Sequence, residues 1–320
     1  MAAAADFLLA LEGGGTRCEA ALFDGAGRLV QTHAAGPVNT NFVTAEAAHA
    51  AVRAALTGVL AAAHVPAEAV RHCAVTLVAA GFESETFTAL CPNASYHPYG
   101  ELRVVFARAG RYAPHGVGLV AGTGATAWGV RADDGREVVL GGWGSLLGDE
   151  GSAYALGLAG LRAAVRAFEG RAPEPTALAE AVGAHFGLTP ETFRDGLIAL
   201  AYHPPLSRTA VAQVAPVVTT LAAAGDPLAR RLTAKVAADL ADLARHTARR
   251  LFAPAEPFDV VVAGGLVSAG PLLLDPVAAA LQSEFPNVTF LAGTQAPAVA
   301  LGRLALHDLA GESHADPNLL

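Results

Sequence analysis

Charge is scarce in this sequence: Asp, Glu, Lys and Arg make up 16% of its 320 residues, and the formal balance is −8. A net negative chain repels a phosphate backbone, which argues against nucleic acid as a partner. Cysteine is scarcer still. Cys18, Cys73 and Cys91 lie far apart, with no Cys-x-x-Cys pair to clip zinc or an iron–sulfur cluster, and they read as reduced, buried thiols. The 11 histidines never stand at the i, i+4 spacing that puts two imidazoles on one helix face, so no metal is assigned to them. Long apolar runs are also missing. Hydrophobic residues reach 53%, but alanine supplies much of that, and no stretch is long enough to span a bilayer. The N-terminus lacks a basic segment, and its apolar stretch from Phe7 to Leu11 is too short for a secretory signal, which predicts a cytoplasmic address.

What is present is a repeated pattern. The length is comfortable for two domains, each with its own core. Phe7 to Leu11 reads as a strand running into the turn Glu12-Gly13-Gly14-Gly15-Thr16-Arg17. Cys18 to Phe23 and Arg28 to Thr32 read as two more strands, and a helix follows from Thr44, its N-cap, to about His64. The order recurs further along: strand Val117 to Ala121, turn Gly122-Thr123-Gly124, strands Ala125 to Val130 and Arg136 to Leu140, then a helix from Ser152 to Glu169. Helical patterns fill Leu178 to Phe186, Thr209 to Ala224 and Pro227 to Leu251. Strand character returns at Phe258 to Gly265 and Val288 to Leu291, and a helix from Ala296 to Leu309 closes the chain before a tail, Gly311 to Leu320, expected to be disordered. The expected architecture is therefore α/β, with a duplicated β-meander plus helices. Its lobes are 1–115 and 116–320, the second carrying a helical insertion at about 152–255.

A phosphate needs converging N–H donors at close range, and glycine lets backbone approach that closely. One glycine turn alone reads as an ordinary hairpin; two in matching positions of a duplication, each with a threonine, point to a nucleotide. Both turns lead into a strand rather than a helix, and neither fits Gly-x-x-x-x-Gly-Lys-Ser/Thr. The P-loop and Rossmann modes are thereby excluded.

The duplicated unit resembles the actin, hexokinase and heat-shock-70 superfamily. Within it, Glu12 to Arg17, Gly122 to Gly124, Gly141-Gly142-Trp143-Gly144-Ser145-Leu146-Leu147-Gly148-Asp149-Glu150-Gly151-Ser152 and Ala263 to Ser268 resemble the N-acetylglucosamine kinases and their relatives, the BadF/BadG/BcrA/BcrD ATPase family of benzoyl-CoA reductase activators. The resemblance implies a two-lobe, ribonuclease H-like (actin-like ATPase) fold with an interlobe cleft, use of ATP and Mg2+, transfer of phosphate to an amino sugar, and a homodimer.

It also implies roles. Gly13, Gly14, Gly15, Thr16, Gly122, Thr123 and Gly124 would hold the phosphates, Glu12 would position hydrated magnesium, and Gly264, Gly265 and Ser268 would lie against the adenosine. Gly141, Gly142 and Asp149 would contact the sugar, together with either Asn39 or Asn41 in the loop Gly36 to Phe42, while Trp143 reads as a packing residue. The catalytic carboxylate would be Glu101, at a helix start where the family places an aspartate. A second departure is Ala125, where the family usually has serine. These departures leave as an alternative a sugar or nucleotide sensor of the same fold; the resemblance also leaves an ATPase of the reductase-activator type, whose cysteine motif Cys18, Cys73 and Cys91 do not supply. The sequence leaves the acceptor open among N-acetylglucosamine, N-acetylmannosamine, N-acetylmuramic acid, glucosamine and glucose.

Overall fold

The structure is a computed structural model that describes residues 6–77 and 84–312. The chain divides into two compact units, unit 1 comprising residues 1–113 and 294–320, and unit 2 residues 114–293. The closing helix returns to the first unit, which is therefore discontinuous in sequence.

In unit 1, β1 (Phe7–Gly13), β2 (Cys18–Asp24) and β3 (Leu29–Ala35) form the antiparallel meander, followed by α1 (Ala45–Ala63). Then come β4 (Val70–Leu77), α2 (Ser84–Leu90), β5 (Ser95–Pro98) and α3 (Glu101–Ala107). β4 pairs parallel to β1 and β5 parallel to β4, giving the order β3-β2-β1-β4-β5. The strand period of two sorts side chains to opposite faces. Leu9, Leu11, Leu22 and Val75 join the core built with Ala48, Val52, Leu56 and Val59 of α1. Their neighbours Leu8, Ala10, Ala21 and Phe23 instead cluster with Ala298, Leu301 and Ala305. α1 starts at its expected cap, where the Thr44 hydroxyl accepts the Ala47 N–H at 3.2 Å, and ends at His64 in the left-handed region.

Unit 2 repeats the plan. β6 (Gly116–Ala121), β7 (Ala125–Arg131) and β8 (Arg136–Gly141) are followed by α4 (Ala153–Phe168), α5 (Leu178–His185), α6 (Phe193–Tyr202), α7 (Arg208–Ala212), α8 (Ala215–Ala223) and α9 (Pro227–Arg249). β9 (Phe258–Ala263), α10 (Pro271–Gln282) and β10 (Val288–Gly293) complete it, with the strand order β10-β9-β6-β7-β8. β9 lies parallel to β6 and β10 parallel to β9, so the second sheet has the pairing pattern of the first. The helix expected over Thr209 to Ala224 is two helices. Pro216 lacks an N–H and sits in the first turn of the second, where that donor would have no partner. Val236 and Leu240 of α9 share one core with Val117, Leu119 and Val260 of the sheet.

The chain ends in α11 (Pro297–Glu312), which belongs to unit 1. Of the tail, Gly311 and Glu312 close this helix and the rest lies outside the described residues. Among the described residues no helix is long and apolar enough to cross a membrane.

Candidate functional site

The first glycine turn leaves β1 at Gly13. A Cβ there would lie 2.6 Å from Val38 Cγ2 and 2.9 Å from Leu77 Cδ2, so only glycine lets the strand end pack this closely. The Gly14 carbonyl then accepts the N–H groups of Val38 at 3.0 Å and Asn39 at 3.3 Å, which ties the loop Gly36 to Phe42 onto the turn. The two asparagines of that loop differ in setting. Asn39 is buried, and its Oδ1 accepts the Asn41 N–H at 2.9 Å, whereas Asn41 is exposed.

Glu12, just before the turn, is half-buried, and its pKa is pushed up to about 7. Burial is the main cause and the Glu101 carboxylate the next, with Arg108 pulling the other way. Glu101 is the first residue of α3 and reaches solvent, yet the protein packed around it also raises its pKa. Cys18, beneath the turn, is buried, and its thiol is pushed up by that burial first and by Glu12 second, which keeps it protonated.

Arg108, whose charge acts on Glu12, is a residue that pattern reading misses. It stands seven positions after Glu101, two helical turns on, and its Nε donates to the Gln295 carbonyl at 2.9 Å. The i, i+7 spacing of Glu101 and Arg108 is the sequence signal that finds it.

In unit 2 the hairpin Gly122-Thr123-Gly124 closes with the Gly122 N–H donating to the Gly124 carbonyl at 3.0 Å. Its other carbonyls are taken by the start of α4: Gly122 accepts the Ala153 N–H at 2.8 Å and Thr123 the Tyr154 N–H at 3.4 Å. In a trans peptide C=O and N–H point opposite ways, so this aims the Thr123 and Gly124 amides away from α4. Ser152 caps the helix, its hydroxyl accepting the Ala155 N–H at 3.0 Å.

Asp149 reaches the same hairpin. It is 3% exposed and adopts φ of 65°, a left-handed conformation that Asp tolerates better than most residues. Its Oδ1 accepts the Ala125 N–H at 3.1 Å and its Oδ2 pairs with Arg208. A Cβ on Gly124 would stand 2.8 Å from that Oδ1 and 2.9 Å from Arg208 Nη2, so a larger residue there would have to displace this ion pair. Arg208 lies 59 residues from Asp149, and no local signal in the sequence announces it.

Gly141 and Gly142 both have positive φ, and the Gly142 N–H donates to the Ala125 carbonyl at 2.9 Å, which holds the start of the glycine-rich block against the hairpin. The block then turns outward. Trp143 is 73% exposed, contrary to its reading as a packing residue, and Leu146 and Leu147 are exposed beside it. Gly264, with φ of 113°, passes so close to Ala121 and Gly122 that any Cβ would collide with the Ala121 carbonyl. The structure thus gathers Gly122, Thr123, Gly124, Gly141, Gly142, Asp149 and Gly264 in unit 2. Glu12, the first glycine turn, Asn39 and Glu101 belong to unit 1. Gly265 and Ser268 follow Gly264 in an exposed turn, where the Ser268 hydroxyl donates to the Gly265 carbonyl at 2.7 Å. Among the described residues no three His, Cys, Asp or Glu side chains cluster as a metal site.

Two sheets of the same order, each with a glycine hairpin between its first two strands in sequence, define an α/β protein of the duplicated actin-like ATPase class. The chain belongs to the BadF/BadG/BcrA/BcrD ATPase family, whose profile matches residues 11–291. It is 31% identical over 196 residues to an N-acetyl-D-glucosamine kinase of Dictyostelium discoideum, covering 60% of this chain and 59% of that protein. To an N-acetylmuramic acid/N-acetylglucosamine kinase of Clostridium acetobutylicum it is 27% identical over 176 residues, covering 55% and 56%. The matched segment thus spans less than two thirds of either curated relative.

Among solved structures, a Porphyromonas gingivalis protein provisionally named an N-acetylglucosamine kinase matches with a TM-score of 0.70 at 16% identity, over 95% of this chain and 99% of that one. A ROK family glucokinase of Streptomyces griseus, solved with glucose and AMPPNP, matches with a TM-score of 0.57 at 20% identity, over 94% and 99%. These likenesses establish the two-sheet fold.

Proposed function

We propose that the chain is an ATP-dependent sugar kinase that phosphorylates an N-acetylated amino sugar, N-acetylglucosamine to its 6-phosphate in the first instance. The observation that carries the reading is Glu101: a carboxylate at a helix start, open to solvent and held at a raised pKa by its surroundings. A general base works best when its pKa approaches the working pH, and it must also be reachable by the hydroxyl it deprotonates.

The residues fit the cofactors the reading requires. Gly13, Gly124 and Gly264 each stand where a Cβ would meet neighbouring protein atoms, which holds the turns in place, and glycine backbone can approach a phosphate or a purine closely. Glu12 and Glu101 are two carboxylates in one electrostatic environment, a donor set that suits a hydrated cation. ATP would supply the transferable phosphoryl group and Mg2+ its countercharge. In unit 1 the backbone of Gly13 to Thr16 binds phosphate, Glu12 orients the ion through water, and Glu101 accepts the proton of the sugar hydroxyl.

In unit 2 the Thr123 and Gly124 amides bind phosphate, and Gly264, Gly265 and Ser268 flank the adenosine. Gly141, Gly142 and Asp149 are the sugar-orienting residues of unit 2; Asn39, with Asn41 as its alternative, is that of unit 1. Asp149 keeps lone pairs beyond those used by Ala125 and Arg208. The kinase activities named for the two curated relatives support the reading.

The test is ADP release from Mg-ATP across a panel of hexosamines and hexoses, with mass spectrometry of the product. Turnover dependent on an N-acetylated sugar is expected. A panel with no sugar-stimulated release, beside calorimetric binding of the sugar, would turn the reading toward a sensor.

A further inference from the structure

α4 carries a feature that the kinase reading leaves unused. Leu158, Leu161 and Val165 recur at helical spacing and form one apolar stripe, and Leu197 and Ala201 repeat the i, i+4 spacing on α6. With Leu206 they line a groove of about 630 Å3, a volume that accepts a small organic molecule. Three guanidinium groups border it. Arg171 is engaged by Glu169, but among the described residues neither Arg162 nor Arg166 makes an ion pair. Two uncommitted cations beside an apolar trough complement an apolar body with an anionic head.

We propose that this groove binds an amphipathic carboxylate, its alkyl body on Leu158, Leu161, Leu197 and Leu206 and its head on Arg162 and Arg166. The ligand acts as an effector, because one wall of the groove is α4, whose first turn holds the second glycine turn. The first amides of α4 bond the Gly122 and Thr123 carbonyls, and Leu206 is two residues from Arg208, which braces Asp149. Filling the groove draws α4 and α6 together and steadies that turn. Only the use of the turn for phosphate rests on the proposed function; the binding does not.

Calorimetric titration of the full chain with decanoate tests the site. Saturable binding is expected, with decanol, which lacks the charge, weaker by about tenfold or more. The double variant Arg162→Gln, Arg166→Gln should lose a similar factor. Backbone hydrogen exchange at Gly122, Thr123 and Gly124 should slow when decanoate binds. Absence of saturable binding, equal affinity for decanol, or undiminished affinity in the double variant overturns the site. Unchanged exchange at the turn overturns the effector role. Neither readout requires phosphoryl transfer, so an inactive sugar-kinase assay leaves both interpretable.

Discussion

Glu12 and Glu101 share one charge environment, and burial keeps both from ionising as readily as a free glutamate. For Glu12 the consequence is a pH-dependent stability. Its folded pKa of about 7 exceeds the ordinary 4.5, so the native state binds this proton more tightly than the unfolded chain. The contribution is fully present below the ordinary value and is lost as pH rises through about 7. After discounting for partial exposure the loss is on the order of 2 kcal/mol. Urea unfolding in chelator-containing buffer at about pH 5 and about pH 8 should show it, and Glu12→Gln should flatten the difference. For Glu101 the prediction concerns rate. Glu101→Gln should lower kcat by roughly 100-fold to 10,000-fold while sugar and ATP still bind; an undiminished kcat would remove Glu101 from the reaction. Because the base must be deprotonated, the acid limb of the kcat profile should sit above the ordinary carboxylate range, and Glu101→Asp should retain activity.

α4 links capping chemistry to the site. Replacing Ser152 by Ala removes the acceptor for the Ala155 N–H and should destabilise unit 2 by about 1 kcal/mol, measured by denaturant midpoint. The same change should speed amide exchange at Gly122 to Gly124, since the next two α4 amides hold that hairpin. Much at this scale is legible in the chain, because turns, caps and strand alternation depend on neighbours a few positions apart. Thr44 and Ser152 cap the helices they introduce, and both glycine hairpins fall where the spacing places them. The break between α7 and α8 was signalled by Pro216, yet the alanine and leucine period runs straight through it. Trp143 shows the opposite limit: a large apolar residue reads as core, but solvent contact is set by what the fold brings opposite it.

At the scale of the whole molecule, α11 decides how unit 1 is closed. Leu301, Ala298 and Ala305 cover Leu8, Ala10, Ala21 and Phe23, one face of β1 and β2 in the first sheet. Each large side chain so covered contributes about 1.5–3 kcal/mol, and typical domains are stable by only about 5–15 kcal/mol. Truncation after Gly293 should therefore unfold unit 1 while unit 2, complete between residues 114 and 293, keeps a cooperative transition; circular dichroism with limited proteolysis distinguishes the two. By itself the sequence determined the repeated meander, the two glycine turns, the main helices of unit 2 and the family resemblance, because these rest on short-range pattern. Tertiary structure alone decided that the last helix rejoins the first unit, that Arg208 grips Asp149 across 59 residues, and that Asn39 is buried while Asn41 is not. Those outcomes depend on which distant surfaces meet, and no local periodicity encodes that. The glycine turns were visible as phosphate candidates from spacing, and Glu12, Glu101 and Asp149 as site carboxylates from the resemblance; that Arg208 and the first amides of α4 brace the second turn became visible only once the chain had folded.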